Sequence, residues 1–475
     1  MAKVFMRRVL SSARGTLVAS ALGFVVVLLD VSVVNVALDD LRRAWSADVA
    51  ALQWVVNAYA LVFAALLLTA GALGDRLGAR RVFMAGFVVF TLASAACGLA
   101  PSLRMLVAAR LLQGLGAALL VPNSLTMLQR AFKDNRLRSR AVGWWGAAGG
   151  VALAAGPVVG GLLIAHFGWR SIFLVNLPLG VVGILLTMRF TAPHETTVVR
   201  SFDWPGQIAC IVALASFACA ISMAASLGWN HAFVVAGLLL SGASASCFIY
   251  IEGRARSPML PLDLFRISTF TVVSVTGLVV NFAYYGLIFV FSLFFQLQQG
   301  LSPQRAGLAF LPMTVVLVLV NVLAGRLLPR MGIRRLMVTG LVMAAVGYSL
   351  LMASSIEGPY SLLAIPMLIA ASGIAITVPT MTNATLSSVP ASRTGIASGV
   401  LNSARQVGGM VGVAACGYLI RDTTPAAFMS GMHAALAIAA LLLSVAAWLN
   451  WTYLLRSADI RSADISTSSS SNADI

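Results

Sequence analysis

The chain has 475 residues, 60% of them hydrophobic and only 10% charged, with 32 Lys and Arg against 15 Asp and Glu for a formal net charge of +17. Its mean hydropathy is +0.93. A soluble domain is about half apolar and about a quarter charged, so this balance excludes one and points to a polytopic membrane protein built on apolar runs of about 20 residues. The runs are continuous, which argues against barrel strands that alternate over about 10 residues.

Fourteen such runs follow one another, at 15–37, 50–70, 82–99, 103–124, 141–163, 171–189, 205–224, 231–250, 269–296, 306–325, 336–353, 360–383, 396–419 and 428–454. Lys3, Arg7, Arg8 and Arg14 precede the first run, and no small-residue cleavage site follows it, so it reads as a retained helix. That run, "GFVVVLLDVSVVNVAL", carries Asp30 in its middle. A buried unpaired carboxylate is costly and usually takes up a proton instead. The fourth run carries Arg110. If successive runs cross in opposite senses, Asp30 lies about seven residues before one boundary and Arg110 about seven residues after it, both about 10 Å deep at 1.5 Å per residue. An acid and a base at one level can neutralise each other, and protonation of the acid would release the base. A static structural ion pair is the plainer alternative.

Between the second and third runs stands "GALGDRLGARR". Gly71, Gly74 and Gly78 permit a tight turn, and Asp75 with Arg76, Arg80 and Arg81 can form a charge network across one mouth of the bundle. In the fifth run, Gly149, Gly150, Gly156, Gly160 and Gly161 surround Pro157, giving a small-residue face at a bend. Trp144 and Trp145 near its start read as interfacial anchors. In the second half, Asn281, Phe282, Tyr284 and Tyr285, with Asn321 and the solitary cation Arg405, are candidates for lining a roomy apolar cavity, or equally for helix–helix packing. The last six runs contain no Asp or Glu. The tail "RSADIRSADISTSSSSNADI" is polar and Ser-rich and reads as disordered.

The turn at 71–81 returns as "GRLLPRMGIRR" at 325–335, with Gly71, Arg76, Gly78, Arg80 and Arg81 repeated 254 positions later. "VP" at 121–122 and "SR" at 139–140 also recur, at 378–379 and 392–393. This predicts a basic N-terminus (1–14), a six-helix bundle (15–190), a linker with two inserted helices (191–268), a second six-helix bundle (269–454) and a tail (455–475). Two parallel halves about a central site form a transporter layout. With Arg104 and Arg189 at the run ends counted with the connections they adjoin, 24 of the Lys and Arg fall in alternate connections and the termini, six in the other connections and two, Arg110 and Arg405, inside runs. That asymmetry puts both termini in the cytoplasm and explains the net charge without a nucleic-acid partner. Cys97, Cys210, Cys219, Cys247 and Cys416 lie in apolar runs without metal spacing and read as small core residues. No nucleophile–base pair, metal motif or phosphate-binding loop is present, so neither an enzyme nor a nucleotide-driven pump is expected.

The 71–81 loop resembles the helix 2–3 signature of the major facilitator superfamily. "LDVSVVNVAL" resembles the first-helix signature of its 14-helix drug:proton antiporters, and "RLLQGLGAALLVPNS" and "GGVALAAGPVVGG" resemble their helix-4 and helix-5 signatures. "WRSIFLVNLP", "GLSPQRAGLAFLP" and "GIASGVLNSARQVGG" are similar to further segments, including those of methylenomycin-resistance exporters. Asp39 stands where the first-helix signature commonly has Pro, at an expected outer surface. The resemblance implies a plasma-membrane protein, a monomer in the lipid bilayer, exporting drug-like amphiphiles in exchange for protons, with Asp30 and Arg110 linked to proton coupling. It implies no cofactor beyond the coupling proton. The fifth-run residues Gly150, Gly156, Pro157, Gly160 and Gly161 would then keep the cavity sealed as the halves rock. A proton-driven uptake symporter, or an exporter of one metabolite or antibiotic, is the alternative. If the 71–81 loop acts on the conformational equilibrium rather than on a pocket, Asp75→Asn should slow vesicle transport more than it weakens equilibrium substrate binding. Weakened binding at an unchanged maximal rate would count against this role.

Overall fold

The computed structural model describes residues 2–132, 134–192, 203–255, 258, 260, 262–389 and 393–454. Each apolar run lies on a helix: α1 (Ala2–Val33), α2 (Val49–Leu77), α3 (Ala79–Gly98), α4 (Leu103–Ala131), α5 (Asn135–Phe167), α6 (Asn176–Phe190), α7 (Trp204–Leu227), α8 (Ala232–Arg254), α9 (Ser268–Leu293), α10 (Leu311–Met331), α11 (Ile333–Leu351), α12 (Ser361–Ser387), α13 (Thr394–Leu419) and α14 (Pro425–Tyr453). Among the described residues eleven helices are long and apolar enough to cross a membrane, or twelve when the two arms of α5, bent by 44°, count as one span. Residues 455–475, the expected tail, and 193–202 of the expected linker lie outside the described residues.

Polar residues mark the helix starts. Asp48, Ser102, Asp134 and Asp203 each accept a hydrogen bond from a backbone N–H in the first turn of α2, α4, α5 and α7, satisfying donors that the helix itself leaves free. Pro157 ends the regular ladder inside α5, because it has no N–H to give the carbonyl of Leu153. The hydroxyl of Ser32 on α1 donates to that carbonyl at 2.7 Å instead. The bend is therefore tied to α1 by the group that the proline frees.

Glycines decide which helices touch. A Cβ at Gly149 or Gly156 of α5 would collide with Phe24 or Ser32 of α1, and one at Gly160 would press on Val33, so α1 and α5 run parallel in close contact. A Cβ at Gly86 of α3 would press on the Gly116 carbonyl of α4, and one at Gly183 of α6 on Phe87 of α3. Close approaches of the same kind occur among α9, α11, α12 and α13. Gly340 of α11 faces the Gly373 carbonyl of α12, and Gly408 and Gly412 of α13 lie against the α9 backbone at Leu278 and Phe282. The α2–α3 and α10–α11 turns each pivot on a glycine at positive φ, Gly78 at 92° and Gly332 at 75°. Arg80 donates to the Met188 carbonyl near the end of α6 at 3.2 Å, and Arg334 to the Trp451 carbonyl near the end of α14.

Helices α2 and α5 approach the later helices most closely by their glycine contacts at one end. There a Cβ at Gly161 of α5 would strike the Pro303 carbonyl, one at Gly307 the Pro157 carbonyl, and one at Gly417 of α13 the amide of Gln53 on α2. At the opposite end Gly143, Gly146 and Gly325 face open space. The central helix is α9, with 94% of its apolar window buried, and the peripheral one is α8, with 11%. Between them, α7 fastens to α2 through Gln207, which donates to the Ala65 carbonyl at 2.7 Å, and α8 packs on α7 through Gly237 and Ser241. Near the start of α13, Arg393 pairs with Asp263, and this hydrogen bond holds the exposed carboxyl below the usual carboxylate range.

The Gly408 contact is a stringent test of this packing, because its Cβ would stand 2.0 Å from the Leu278 carbonyl oxygen, a backbone atom. Overpacking a close-fitted core costs about 1–3 kcal/mol. Gly408→Val should therefore lower the thermal midpoint in detergent by several degrees, whereas Gly143→Ala should not lower it. Equal midpoints for the two variants would remove the basis for the α9–α13 contact.

Candidate functional site: a buried acid–base pair

Asp30 and Arg110 are the pair that the sequence set at matching depth, and the fold brings them into contact. Asp30 sits four residues before the α1 geometry changes to a 3₁₀ turn at Val34–Ala37. Arg110 lies in the second turn of α4. Their exposures are 0% and 1%, and Arg110 Nη1 donates to Asp30 Oδ2. Burial of either charge alone would cost several kcal/mol. Here each carries the other, and uncharged groups fill the remaining positions.

Arg110 is held on three sides. Its Nε donates to the Val55 carbonyl of α2 at 3.0 Å, and Nη1 also reaches Gln113 Oε1 at 2.8 Å. The guanidinium stands over the ring of Tyr59, 4.4 Å from its centroid, a favourable cation–π placement. Gln113 then bridges the pair. Its Nε2 donates to Asp30 Oδ1 at 3.0 Å and to Ser94 Oγ at 2.6 Å, while its Oε1 accepts from Arg110 and from Cys97 Sγ at 3.2 Å. Asn176, the first residue of α6, donates from Nδ2 to Asp30 Oδ1 at 3.0 Å and to Ser94 Oγ at 3.3 Å. Five helices thus converge on one carboxylate: α1 supplies the acid, α4 the base and Gln113, and α2, α3 and α6 the surround.

Sequence reasoning found the two charges and missed their setting. Gln113 had a local signal, since it is three residues from Arg110 and shares its helix face. Asn176 is a polar residue inside "FLVNLP", a weaker signal. Cys97 is buried as expected, yet it is also a hydrogen-bond donor to the network and not only a core filler.

The other candidates divide. Gly71 and Gly74 face α4, with Gly74 against the side chain of Asn123, whose amide in turn donates to the Ala70 carbonyl. Arg76 and Arg81 are exposed and Arg80 turns to the end of α6. The Asp75 side chain lies outside the described residues, and with it the expected charge network. Gly156 and Gly160 fit α1, Gly161 and Pro157 meet the second group, and Gly150 faces Asn321 at 3.9 Å. Asn281 is turned back onto its own helix, donating to the Gly277 carbonyl at 2.9 Å. Tyr284 and Tyr285 are buried with their rings 5.4 Å apart, and Phe282 lines a small cavity inside the second group with Gly286, Tyr348, Cys416 and Leu436. Arg405 is half-buried on α13, with Nη1 3.5 Å from Asn402 Oδ1. Two expectations change. Trp145 is not an interfacial anchor: it is buried, stacked on Phe24 with centroids 3.9 Å apart, and donates to Ser124 Oγ. Asp39 is not a surface residue: it is buried and paired with Arg42 and Arg43 at 3.0 and 2.6 Å.

Membrane-length helices with an acid–base pair buried among α1, α2, α3, α4 and α6 define a transporter-like bundle. A family model described as Major Facilitator Superfamily matches residues 20–413, and the chain belongs to that superfamily. It is 38% identical over 406 residues to the methylenomycin A resistance protein of Streptomyces coelicolor, covering 86% of this chain and 85% of the relative. It is 35% identical to the multidrug resistance protein Stp of Mycobacterium tuberculosis, covering 85% and 75%, and 32% identical to the tetracenomycin C resistance and export protein of Streptomyces glaucescens, covering 85% and 75%. A solved D-xylose-proton symporter shares the fold, with a TM-score of 0.68 at 16% identity over 93% of this chain and 98% of that one.

If the pair is mutually neutralised, breaking it from one side should cost more than removing both charges. Arg110→Gln should destabilise by about 3–5 kcal/mol, the usual penalty for stranding one buried partner, and Asp30→Asn added to it should restore much of that. Thermal melts of the four proteins in detergent read the coupling; simple additivity of the two losses would show that the charges do not depend on each other.

Proposed function

We propose that the chain is a secondary transporter that exports drugs or toxic amphiphilic compounds in exchange for protons by alternating access. The observation that carries this reading is the ion pair of Asp30 and Arg110, fully buried at membrane depth and therefore sensitive to a single proton. Protonation of Asp30 removes the charge that Arg110 balances. The energetic reason for α1, α2 and α4 to keep their arrangement then changes. The names of the relatives, which describe resistance and export, support a drug-like substrate.

In this reading α1–α6 and α9–α14 form two six-helix halves, with α7 and α8 inserted, so that fourteen helices cross the bilayer. The repeated glycine turns at Gly78 and Gly332 and the matching Arg80 and Arg334 contacts support the two-half layout. The excess of Lys and Arg in alternate connections supports an orientation with both termini in the cytoplasm. The end sealed by Gly161, Gly307 and Gln53 then faces outward, and the end where Gly143, Gly146 and Gly325 meet open space faces the cytoplasm. With that orientation the open end supports an inward-facing reading, in which substrate would enter from the cell interior. Acids are absent from the runs of the second half, so the cavity suits neutral or singly charged amphiphiles better than dications.

A susceptibility panel with and without the gene identifies the substrates. With one substrate in hand, Asp30→Asn should abolish efflux driven by a proton gradient in vesicles while the protein remains folded in the membrane. Wild-type dependence on the gradient in that variant would overturn the proposal.

A further inference from the structure

Asn176 differs from every other group on Asp30. Gln113 is locked in one orientation, because its Oε1 must accept from Arg110 and Cys97 while its Nε2 serves Asp30 and Ser94. Turning that amide over would break four hydrogen bonds and set two donors against the Arg110 guanidinium. Asn176 has no such lock. Its Nδ2 donates to Asp30 and Ser94, but its Oδ1 is buried with no donor in reach. Half of this amide is committed and half is idle, in a residue with no exposed surface.

An idle buried acceptor is costly, and its position suggests a use. An ionised carboxylate can only accept, so it requires the N–H side of a neighbouring amide; a protonated one has an O–H to donate and requires an acceptor. The Gln113 carbonyl oxygen is occupied. We propose that the Asn176 side-chain amide turns over when Asp30 is protonated, so that its Oδ1 accepts the new Asp30 O–H. This inference rests on the proton-coupling reading of Asp30. The proton comes from water and bonds to Oδ1 of Asp30, no other covalent bond changes, and the rotation exchanges one idle amide atom for the other. Gln113 Nε2 keeps Ser94 as an acceptor, and the Ser94 hydroxyl can donate to the turned carbonyl.

Among the described residues, the other titratable or charged groups facing this point are Arg110 from α4, Cys97 from α3 and Tyr59 from α2; α6 contributes the neutral Asn176, and α5 meets α1 there through Gly156 and Gly160. Asn176 is thus a positioning residue through which the protonation state is written into α6, the helix whose far end receives Arg80 of the 71–81 turn. One helix then links the acid to the turn between α2 and α3, about 20 Å away at 1.5 Å per residue.

The test needs no substrate. Purified protein in detergent is examined by infrared difference spectroscopy between acidic and basic pH, and the carboxylic C=O band absent from Asp30→Ser is assigned to Asp30. In wild type that band should lie low, because the acid donates a strong hydrogen bond, and in Asn176→Leu it should shift to higher frequency. An unshifted band would overturn the role of Asn176 while leaving Asp30 as the proton site. No Asp30 band in wild type would overturn the coupling reading itself. If Asn176→Leu does not fold, asparagine labelled with ¹³C at the side-chain carbonyl gives the same answer in the native sequence. A labelled amide band must then appear in the wild-type difference spectrum and be lost in Asp30→Ser; its absence in wild type would overturn the flip.

Discussion

The arrangement of the first helix group depends on one carboxylate that water cannot reach. Asp30 has no solvent to carry its charge, so Arg110, Gln113 and Asn176 must do it, and these groups come from α4 and α6. Each of them is further tied, Arg110 to the Val55 carbonyl of α2 and Gln113 to Ser94 and Cys97 of α3. Helix association in a bilayer gains little from the hydrophobic effect, since lipid tails are as apolar as the side chains. A buried polar cluster that only one arrangement satisfies can therefore specify that arrangement. Under the proposed proton coupling the same property would make it a switch, because a single proton changes what the cluster requires.

Close glycine contacts transmit such a change. In α5, one face of the glycine stripe lies on α1 a few residues from Asp30, and the same helix meets Pro303 and Gly307 of the second group through Gly161 and Pro157. The hydroxyl of Ser32, two residues beyond Asp30, occupies the carbonyl that Pro157 leaves free. A shift of α1 at Asp30 therefore reaches the sealed end through a short chain of contacts with little slack. The backbones approach too closely for an added methyl at Gly161 and Gly307, so in the proposed transport cycle these contacts would move as packed surfaces rather than by deforming.

The helical architecture was legible in the sequence because bilayer thickness and hydropathy fix run lengths with little ambiguity. The depth of Asp30 and Arg110 was legible for the same reason: counting residues along a straight helix measures distance. What counting cannot give is rotation about the helix axis. That is why Trp145 was expected at the interface and stands instead inside, stacked on Phe24, and why Asp39 was expected at the surface and is buried with two arginines. It is also why Asn176 went unnoticed and Cys97 was expected to be only a core residue: neither carries charge, and their importance arises only when α6 turns Asn176 toward Asp30 and α3 turns Cys97 toward Gln113. For the second-half candidates, buried aromatic and amide residues serve packing and binding equally well, and Asn281 and Tyr285 illustrate the packing use.

The central claim is that protonation of Asp30 decides whether the end sealed by Gly161, Gly307 and Gln53 stays closed. Spin labels at Ser46 and Thr423, exposed positions on the two groups at that end, report its opening as a distance distribution. Coupling through Asp30 predicts a distribution that moves between short and long distances as pH is varied in the wild type, and a single pH-independent distribution in Asp30→Asn. The same pH-driven movement in Asp30→Asn would contradict it.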